Sequence, residues 1–232
     1  MVTGASSGIG QAIAISLARD GAAVCAVGRD SKRLSETIAG MRSRSGGVPF
    51  QADLAQDENI EGLKQLLATR FGRLDILIHS AGVIQHNLTS NSRTDDLDLQ
   101  YAVNVRSPYC VTKSLLPMLK DSKGQIVFIN SSLGVNAKRP EVAQFAATQH
   151  AMKAIADSLR EEVNSDGIRV LTVFPGRTAT PRQKRLHRQE NKRYRPESLL
   201  QPEDIASVVS HCLALPRTAE VTDIHIRPMI KS

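Results

Sequence analysis

The 232-residue sequence predicts a doubly wound α/β domain, a parallel sheet with helices over both of its faces. Three observations carry the prediction. Short apolar runs rich in β-branched residues alternate with amphipathic stretches along the whole chain. Most of the runs are apolar at successive positions rather than at every second one, as strands buried on both faces require. A cluster of glycines stands between the first run and the first amphipathic stretch. A chain of this length can bury a full core without splitting, so residues 1–232 are expected to form one domain.

In order along the chain, only Met1, Val2 and Thr3 precede the first turn, where a buried strand normally holds about five or six residues, so the first strand is expected to be a truncated stub. IGQAIAISLARD is the first helix, with Gly21 just past its end, and AAVCAV (22–27) is the second strand. Ser31 is placed as the N-cap of the next helix. VPFQ (48–51), LDILIH (74–79), QIVFIN (125–130), IRVLTVF (168–174) and VTDIHI (221–226) are the remaining strands. NIEGLKQLLATRF and EDIASVVSHCLAL have the period of helices with one apolar face.

Composition narrows the function classes. No apolar run approaches about 18 residues, and the N-terminus MVTGASSGIG has neither a basic start nor an apolar h-region, so neither a membrane span nor a secretory leader is expected and the protein is assigned to the cytoplasm. Cys25, Cys110 and Cys212 are odd in number and widely spaced, which fits buried reduced thiols rather than a disulfide framework or a zinc site. The six histidines have no metal-ligand spacing, and no metal is expected. The net charge of +7 is concentrated in PRQKRLHRQENKRYR (181–195), where seven Lys/Arg stand against one Glu. One local patch, with no Trp and 3% aromatic residues to stack on bases, argues against a nucleic-acid partner. Two readings of that segment stay open, a solvated flap and a lid over an anionic ligand.

Thr3-Gly4-Ala5-Ser6-Ser7-Gly8-Ile9-Gly10 spaces its glycines as G-x-x-x-G-x-G between a strand and a helix. Glycine is needed where the chain turns with positive φ and where backbone approaches a pyrophosphate, and the helix N-terminus behind it offers N–H groups and a positive dipole end. With strand 22–27 following, Gly4, Ser6, Gly8, Ile9 and Gly10 read as a Rossmann-like dinucleotide site. The end of the second strand sets the cofactor type: a carboxylate there binds the ribose 2′-hydroxyl, a base accepts a 2′-phosphate. The chain reads Gly28-Arg29, which favours NADP(H) over NAD(H). Asp30 beside it is a competing acid, and Arg29 as a plain surface charge is the alternative.

These features, with Asp53 in QADL, Ala81-Gly82 after the fourth strand, Asn104 in YAVNV, Ser131-Ser132 after the fifth strand and PGRTAT at 175–180, resemble the classical short-chain dehydrogenase/reductase family from residue 1 to about 230. The resemblance implies that Asp53 and Leu54 border the adenine, that Ala81 and Gly82 let backbone approach the cofactor, and that Pro175, Gly176 and Thr180 flank the nicotinamide. It also implies hydride transfer between the nicotinamide and a small carbonyl or alcohol, by an Asn, a Ser and a Tyr-x-x-x-Lys pair on one helix. It implies a homodimer or homotetramer built on helices near 95–119 and 143–164.

The family's Tyr follows its Ser by thirteen residues, and counting from Ser132 reaches Phe145, with Gln149 four further on. The site is therefore Asn104, Ser132, Phe145 and Gln149, its last two members chemically altered. A phenyl ring has no proton to give, and a neutral amide cannot stabilise a phenolate. General acid–base catalysis is worth about 10²- to 10⁴-fold, so carbonyl reduction is expected to be strongly impaired. Tyr101 and Tyr109 have no spacing that aims them at Ser132, and His150 projects about 100° around the helix from Gln149. A second departure is His79-Ser80 where the family has two asparagines, which removes strand-bridging amides. The competing reading is a non-catalytic NADP-binding regulatory or scaffold module.

Overall fold

The computed structural model describes residues 1–41 and 46–230. In chain order these form β1 (Val2–Thr3), α1 (Gly8–Arg19), β2 (Val24–Gly28), α2 (Ser31–Gly40), β3 (Gly47–Gln51), α3 (Asp57–Arg70), β4 (Ile76–His79), α4 (Thr94–Tyr101) and α5 (Ser107–Ser122). There follow β5 (Gln125–Ile129), α6 (Ala143–Val163), β6 (Arg169–Pro175), α7 (Pro181–Gln189), α8 (Pro202–Leu213) and β7 (Asp223–Ile226). The architecture is the doubly wound α/β class that the sequence predicts. Two compact units are present: Met1–Gln51 with Pro175–Ala219 and the chain from His225 onward, and Ala52–Phe174 with Glu220–Ile224.

In the first unit β1, β2 and β3 pair in parallel, with Val2 opposite Ala26 and Val24 opposite Gly47. Val24, Cys25, Ala26 and Val27 are all buried, which is why β2 reads as an unbroken apolar run. Ile13, Ala14, Leu17 and Ala18 form the buried stripe of α1, and the Ser16 and Ser210 hydroxyls, on α1 and α8, lie 3.0 Å apart. Gly21 follows α1 at φ +96°, and its N–H returns to the Ala18 carbonyl at 3.1 Å, as expected of the residue past a helix end. The expected N-cap of α2 is corrected. Asp30, not Ser31, has the extended backbone of a cap, and its carboxylate accepts the Arg33 N–H at 3.0 Å. A carboxylate serves this position doubly, as acceptor for the third amide and as a negative charge at the positive end of the helix.

In the second unit β4, β5 and β6 pair in parallel, Ile76 opposite Gln125 and Gln125 opposite Arg169. Leu77, Ile78, Ile126, Val127, Phe128, Val170 and Val173 fill the interior of this ladder. The helix expected near 95–119 is interrupted: α4 passes through a π turn, Ala102–Arg106, before α5 begins, and the Ser107 N–H closes that turn on the Ala102 carbonyl. The thiol expectation is corrected in part. Cys25 is buried, and burial pushes its pKa up to about 11, but Cys110 and Cys212 are only half-buried. No helix of the described residues is long and apolar enough to cross a membrane.

Candidate functional site

In the first unit the turn between β1 and α1 is held down by its own backbone. The Ala5 N–H donates to the Val27 carbonyl at 3.0 Å, and the Thr37 hydroxyl donates to the Ala5 carbonyl at 2.9 Å. Gly4 and Gly8 have φ of +65° and +57°, which L side chains rarely adopt. Gly10 is required for another reason: a Cβ there would lie 2.5 Å from the Gly4 carbonyl oxygen. Ser7 occupies the N-cap of α1 without a side-chain cap hydrogen bond, and behind it Gly8 and Ile9 are half-buried while Gly10 is buried.

Gly28 ends β2 against Ser6, whose Oγ would stand 3.2 Å from a Cβ at that position. Asp30 is turned away to cap α2, with its second oxygen 3.5 Å from the Arg33 Nε. The acid that competes with Arg29 is thus committed to the helix, and Arg29 is the charged group left at the strand end. After β6, the Gly176 N–H donates to the Ile226 carbonyl at 2.7 Å, fixing Pro175-Gly176. Thr180 is the N-cap of α7, its Oγ1 accepting the Gln183 N–H at 3.1 Å, and its methyl would be 3.0 Å from a Cβ on Gly8. Gly8 of the glycine-rich turn and Thr180, expected beside the nicotinamide, are thus brought into direct apposition.

In the second unit Asp53 makes a local turn: its Oδ1 accepts the Ala55 N–H at 3.1 Å and its carbonyl accepts the Asn59 side chain at 2.9 Å, beside the buried Leu54. Ala81 and Gly82 follow β4, and the next residue is tied to the π turn. Asn104 grips Val83 at both backbone groups, its Oδ1 accepting the N–H at 2.8 Å and its Nδ2 donating to the carbonyl at 2.9 Å. The Nδ2 also donates to the Thr148 Oγ1 at 3.1 Å. That hydroxyl in turn donates to the Phe145 carbonyl at 2.7 Å and receives the Gln149 Nε2 at 3.4 Å.

Phe145 and Gln149 are each only 7% exposed. Gln144, thirteen residues after Ser131, accepts from Gln100 at 3.2 Å and donates to the Arg93 carbonyl at 2.9 Å. Of Phe145 and Gln149, it is the Gln149 side chain that is tied to the Asn104 cluster, through Thr148, and Phe145 joins it by its carbonyl. Ser131 caps the 3₁₀ turn Ser132–Gly134, leaving the neighbouring Ser132 exposed. Asn130 donates to the Gln149 carbonyl at 2.9 Å. Thr148 and Asn130 escaped sequence reasoning; a buried hydroxyl between two site positions of one helix was the available signal.

Every member of this cluster is uncharged. Lys153, one turn beyond Gln149, is engaged by Asp157. Tyr101 and Tyr109 are more than half exposed, and His150 is exposed with its Nδ1 at the Ala146 carbonyl. His79 replaces the missing amide differently. It is buried, stacked on Phe128 at 4.9 Å with its Nε2 2.8 Å from the Thr112 hydroxyl, and burial pushes its pKa down to about 3. Among the described residues no group of three or more His, Cys, Asp or Glu is placed to hold a metal.

The family model described as short chain dehydrogenase matches residues 1–191. An uncharacterized oxidoreductase of Staphylococcus epidermidis is 32% identical over 230 residues, 99% of this chain and 96% of that protein. One from Staphylococcus aureus is 30% identical over the same shares. Among solved structures, an alcohol dehydrogenase of the archaeon Thermococcus sibiricus, complexed with 5-hydroxy-NADP, superposes with a TM-score of 0.88 at 25% identity, over 100% of this chain and 96% of that one. A short chain dehydrogenase of Burkholderia cenocepacia in complex with NADP gives 0.85 at 28% identity, over 97% and 94%.

Proposed function

The chain belongs to the short chain dehydrogenase family, and on that premise we propose that it binds NADP(H) while its carbonyl–alcohol chemistry is strongly impaired. Residues of this chain fit the cofactor. Gly10 admits no side chain against Gly4, the first turn of α1 lacks a side-chain cap, and Arg29 stands at the strand end with Asp30 withdrawn. The 5-hydroxy-NADP of the Thermococcus enzyme and the NADP of the Burkholderia protein support the same choice.

Bound NADP(H) supplies the hydride. The chain would supply a hydroxyl from Ser132 to hold the substrate oxygen, backbone order through Asn104, and the surfaces that exclude water. The observation that carries the impairment is the chemistry at Phe145 and Gln149. Both are buried, Gln149 is tied to Asn104 through Thr148, and neither side chain transfers a proton nor carries a charge that would lower the pKa of one that could. A small carbonyl or alcohol is the substrate class for any turnover, and the cytoplasm is the place of action. A second copy of the chain is the expected partner; the exposed Leu97, Leu99, Tyr101 and Tyr109 of α4 and α5 supply apolar area for it.

The test sets NADPH binding, followed by nicotinamide fluorescence, beside NADPH oxidation across a carbonyl panel. Tight binding with turnover at or below about one hundredth of that of an intact family enzyme supports the proposal. Rapid turnover overturns it. Binding with no turnover on any carbonyl favours the regulatory or scaffold module, a reading supported by the neutral network that ties Gln149 to Thr148 and Asn104.

A further inference from the structure

The glycine-rich turn of the first unit is held from α2 by one side chain. Ala5 and Thr37 are both fully buried, and the Thr37 hydroxyl, on α2, lies 2.9 Å from the Ala5 carbonyl oxygen while it receives the Gln11 Nε2 of α1 at 3.0 Å. A hydroxyl has one hydrogen to give, and a second acceptor, the Arg33 carbonyl, also stands at 2.9 Å. The Arg33 carbonyl lies inside α2, where the helix itself supplies an amide four residues on. The Ala5 carbonyl lies in a turn without that supply, and a buried carbonyl left unpaired is costly, which places the hydrogen on Ala5.

The Ala5 N–H is already fixed on the Val27 carbonyl of β2 at 3.0 Å. With its carbonyl held by α2 as well, Ala5 is gripped on both sides where the chain leaves Gly4 at φ +65° and heads for Gly8 at φ +57°. The peptide that joins Ala5 to Ser6 is planar and trans, so the Ser6 N–H points opposite to the Ala5 carbonyl and away from the Thr37 hydroxyl. Thr37 therefore sets the direction of the amide that opens the segment leading into α1. The same helix starts at the end of β2, where Arg29 precedes the N-cap Asp30. One helix thus bears, at its start, the cation expected to choose between NADPH and NADH and, within its length, the anchor of the turn expected to take the pyrophosphate.

We infer that Thr37 is a positioning residue for the cofactor: its hydroxyl holds the Ala5–Ser6 peptide so that the glycine-rich turn is set for the pyrophosphate that NADPH and NADH share. The inference rests on the NADP(H) reading above and deepens it, by separating what sets affinity from what sets choice. Arg29 acts on the 2′ position and changes the ratio of the two affinities. Thr37 acts through Ala5 on the part common to both cofactors and changes the two affinities together.

The experiment compares Thr37→Val, Thr37→Ser and Thr37→Cys with the unaltered protein, measuring dissociation constants for NADPH and NADH well below the melting midpoint of each. Thr37→Val keeps the shape and removes the hydroxyl, Thr37→Ser keeps the hydroxyl, and Thr37→Cys leaves a weak donor. Thr37→Val is expected to weaken both cofactors about tenfold with their ratio unchanged within about twofold, and Thr37→Ser to stay within about threefold of the unaltered protein. Thr37→Cys should fall between them, and it carries the test if Thr37→Val does not fold. A lowered melting midpoint with both affinities unchanged makes Thr37 a purely structural residue and overturns the inference, leaving the cofactor reading in place. So does a Thr37→Ser protein that binds as weakly as Thr37→Val, or a loss confined to NADPH. If the unaltered protein binds neither dinucleotide, the cofactor reading itself falls and the positioning role falls with it.

Discussion

Asn104 and Thr148 are joined side chain to side chain, the Asn104 amide donating to the Thr148 hydroxyl at 3.1 Å while that hydroxyl donates onward to the Phe145 carbonyl at 2.7 Å. Thr148 is thus the hinge pin between the π turn and α6. Replacing it with Val keeps the shape and leaves a buried amide hydrogen without its acceptor. The expected cost is about 1–3 kcal/mol of unfolding free energy, read by denaturant titration, and Thr148→Ser should recover most of it.

Phe145→Tyr with Gln149→Lys should create carbonyl reduction that still depends on Ser132. Either change alone should give at least roughly 10²-fold less, because a Tyr without a nearby cation keeps a pKa near about 10 and a Lys without the Tyr has no proton donor to assist. Initial rates of NADPH oxidation by the two single variants, the double variant and the double variant carrying Ser132→Ala check this. An unaltered chain as fast as the double variant would mean that another proton donor serves the site.

Arg29→Ala should erase most of any preference for NADPH over NADH, a charge-assisted contact of about 1.5–3 kcal/mol. The measurement is the ratio of the two dissociation constants in each protein. Arg29→Ala with an undiminished ratio removes Arg29 from cofactor recognition.

His79 gives the fold a pH slope. An unfolded chain takes up a proton at this residue near pH 6.5, whereas the folded protein resists until about 3. Between those values the unfolded state binds more protons, so the contribution of His79 is complete above about 6.5 and is lost as the pH falls, by up to about 1.4 kcal/mol per pH unit. Comparing the stability of the unaltered protein and His79→Asn from pH 7 to pH 4 isolates this term. Parallel curves would show that His79 takes up its proton equally in both states.

Gly10→Ala should destabilise the protein by about 1–3 kcal/mol, since the added Cβ meets the backbone of Gly4 rather than a side chain that can swing away. A thermal melt shows it, with dinucleotide affinity expected to fall in the same variant because the turn must shift.

Much of the fold was legible because its determinants are local. The unbroken apolar runs of β2 and β5, the stripe Ile13-Ala14-Leu17-Ala18 and Gly21 past α1 each declare themselves within a few residues. The N-cap of α2 was misplaced by one residue because Asp30 and Ser31 are both good caps and only the backbone angles choose between them. The π turn left no trace in the apolar pattern, since its purpose is to carry Asn104 to Val83, twenty-one residues earlier in the chain. In the proposed site, Phe145 and Gln149 were singled out by spacing. Thr148 was not, because what makes it matter is its hydrogen bond to Asn104, forty-four residues earlier in the chain.

The π turn also ties the length of the chain to the geometry of the site. It holds one residue more than the α turn it replaces. Deleting any one of residues 102–106 would let α4 and α5 run together as a single regular helix with its flanking faces kept in register, and would remove the bulge that carries Asn104 toward Val83. Asn104, inside that turn, would lose its paired hold on the Val83 N–H and carbonyl. In evolutionary terms, descendants of this chain can exchange letters at 102–106 far more readily than they can gain or lose one.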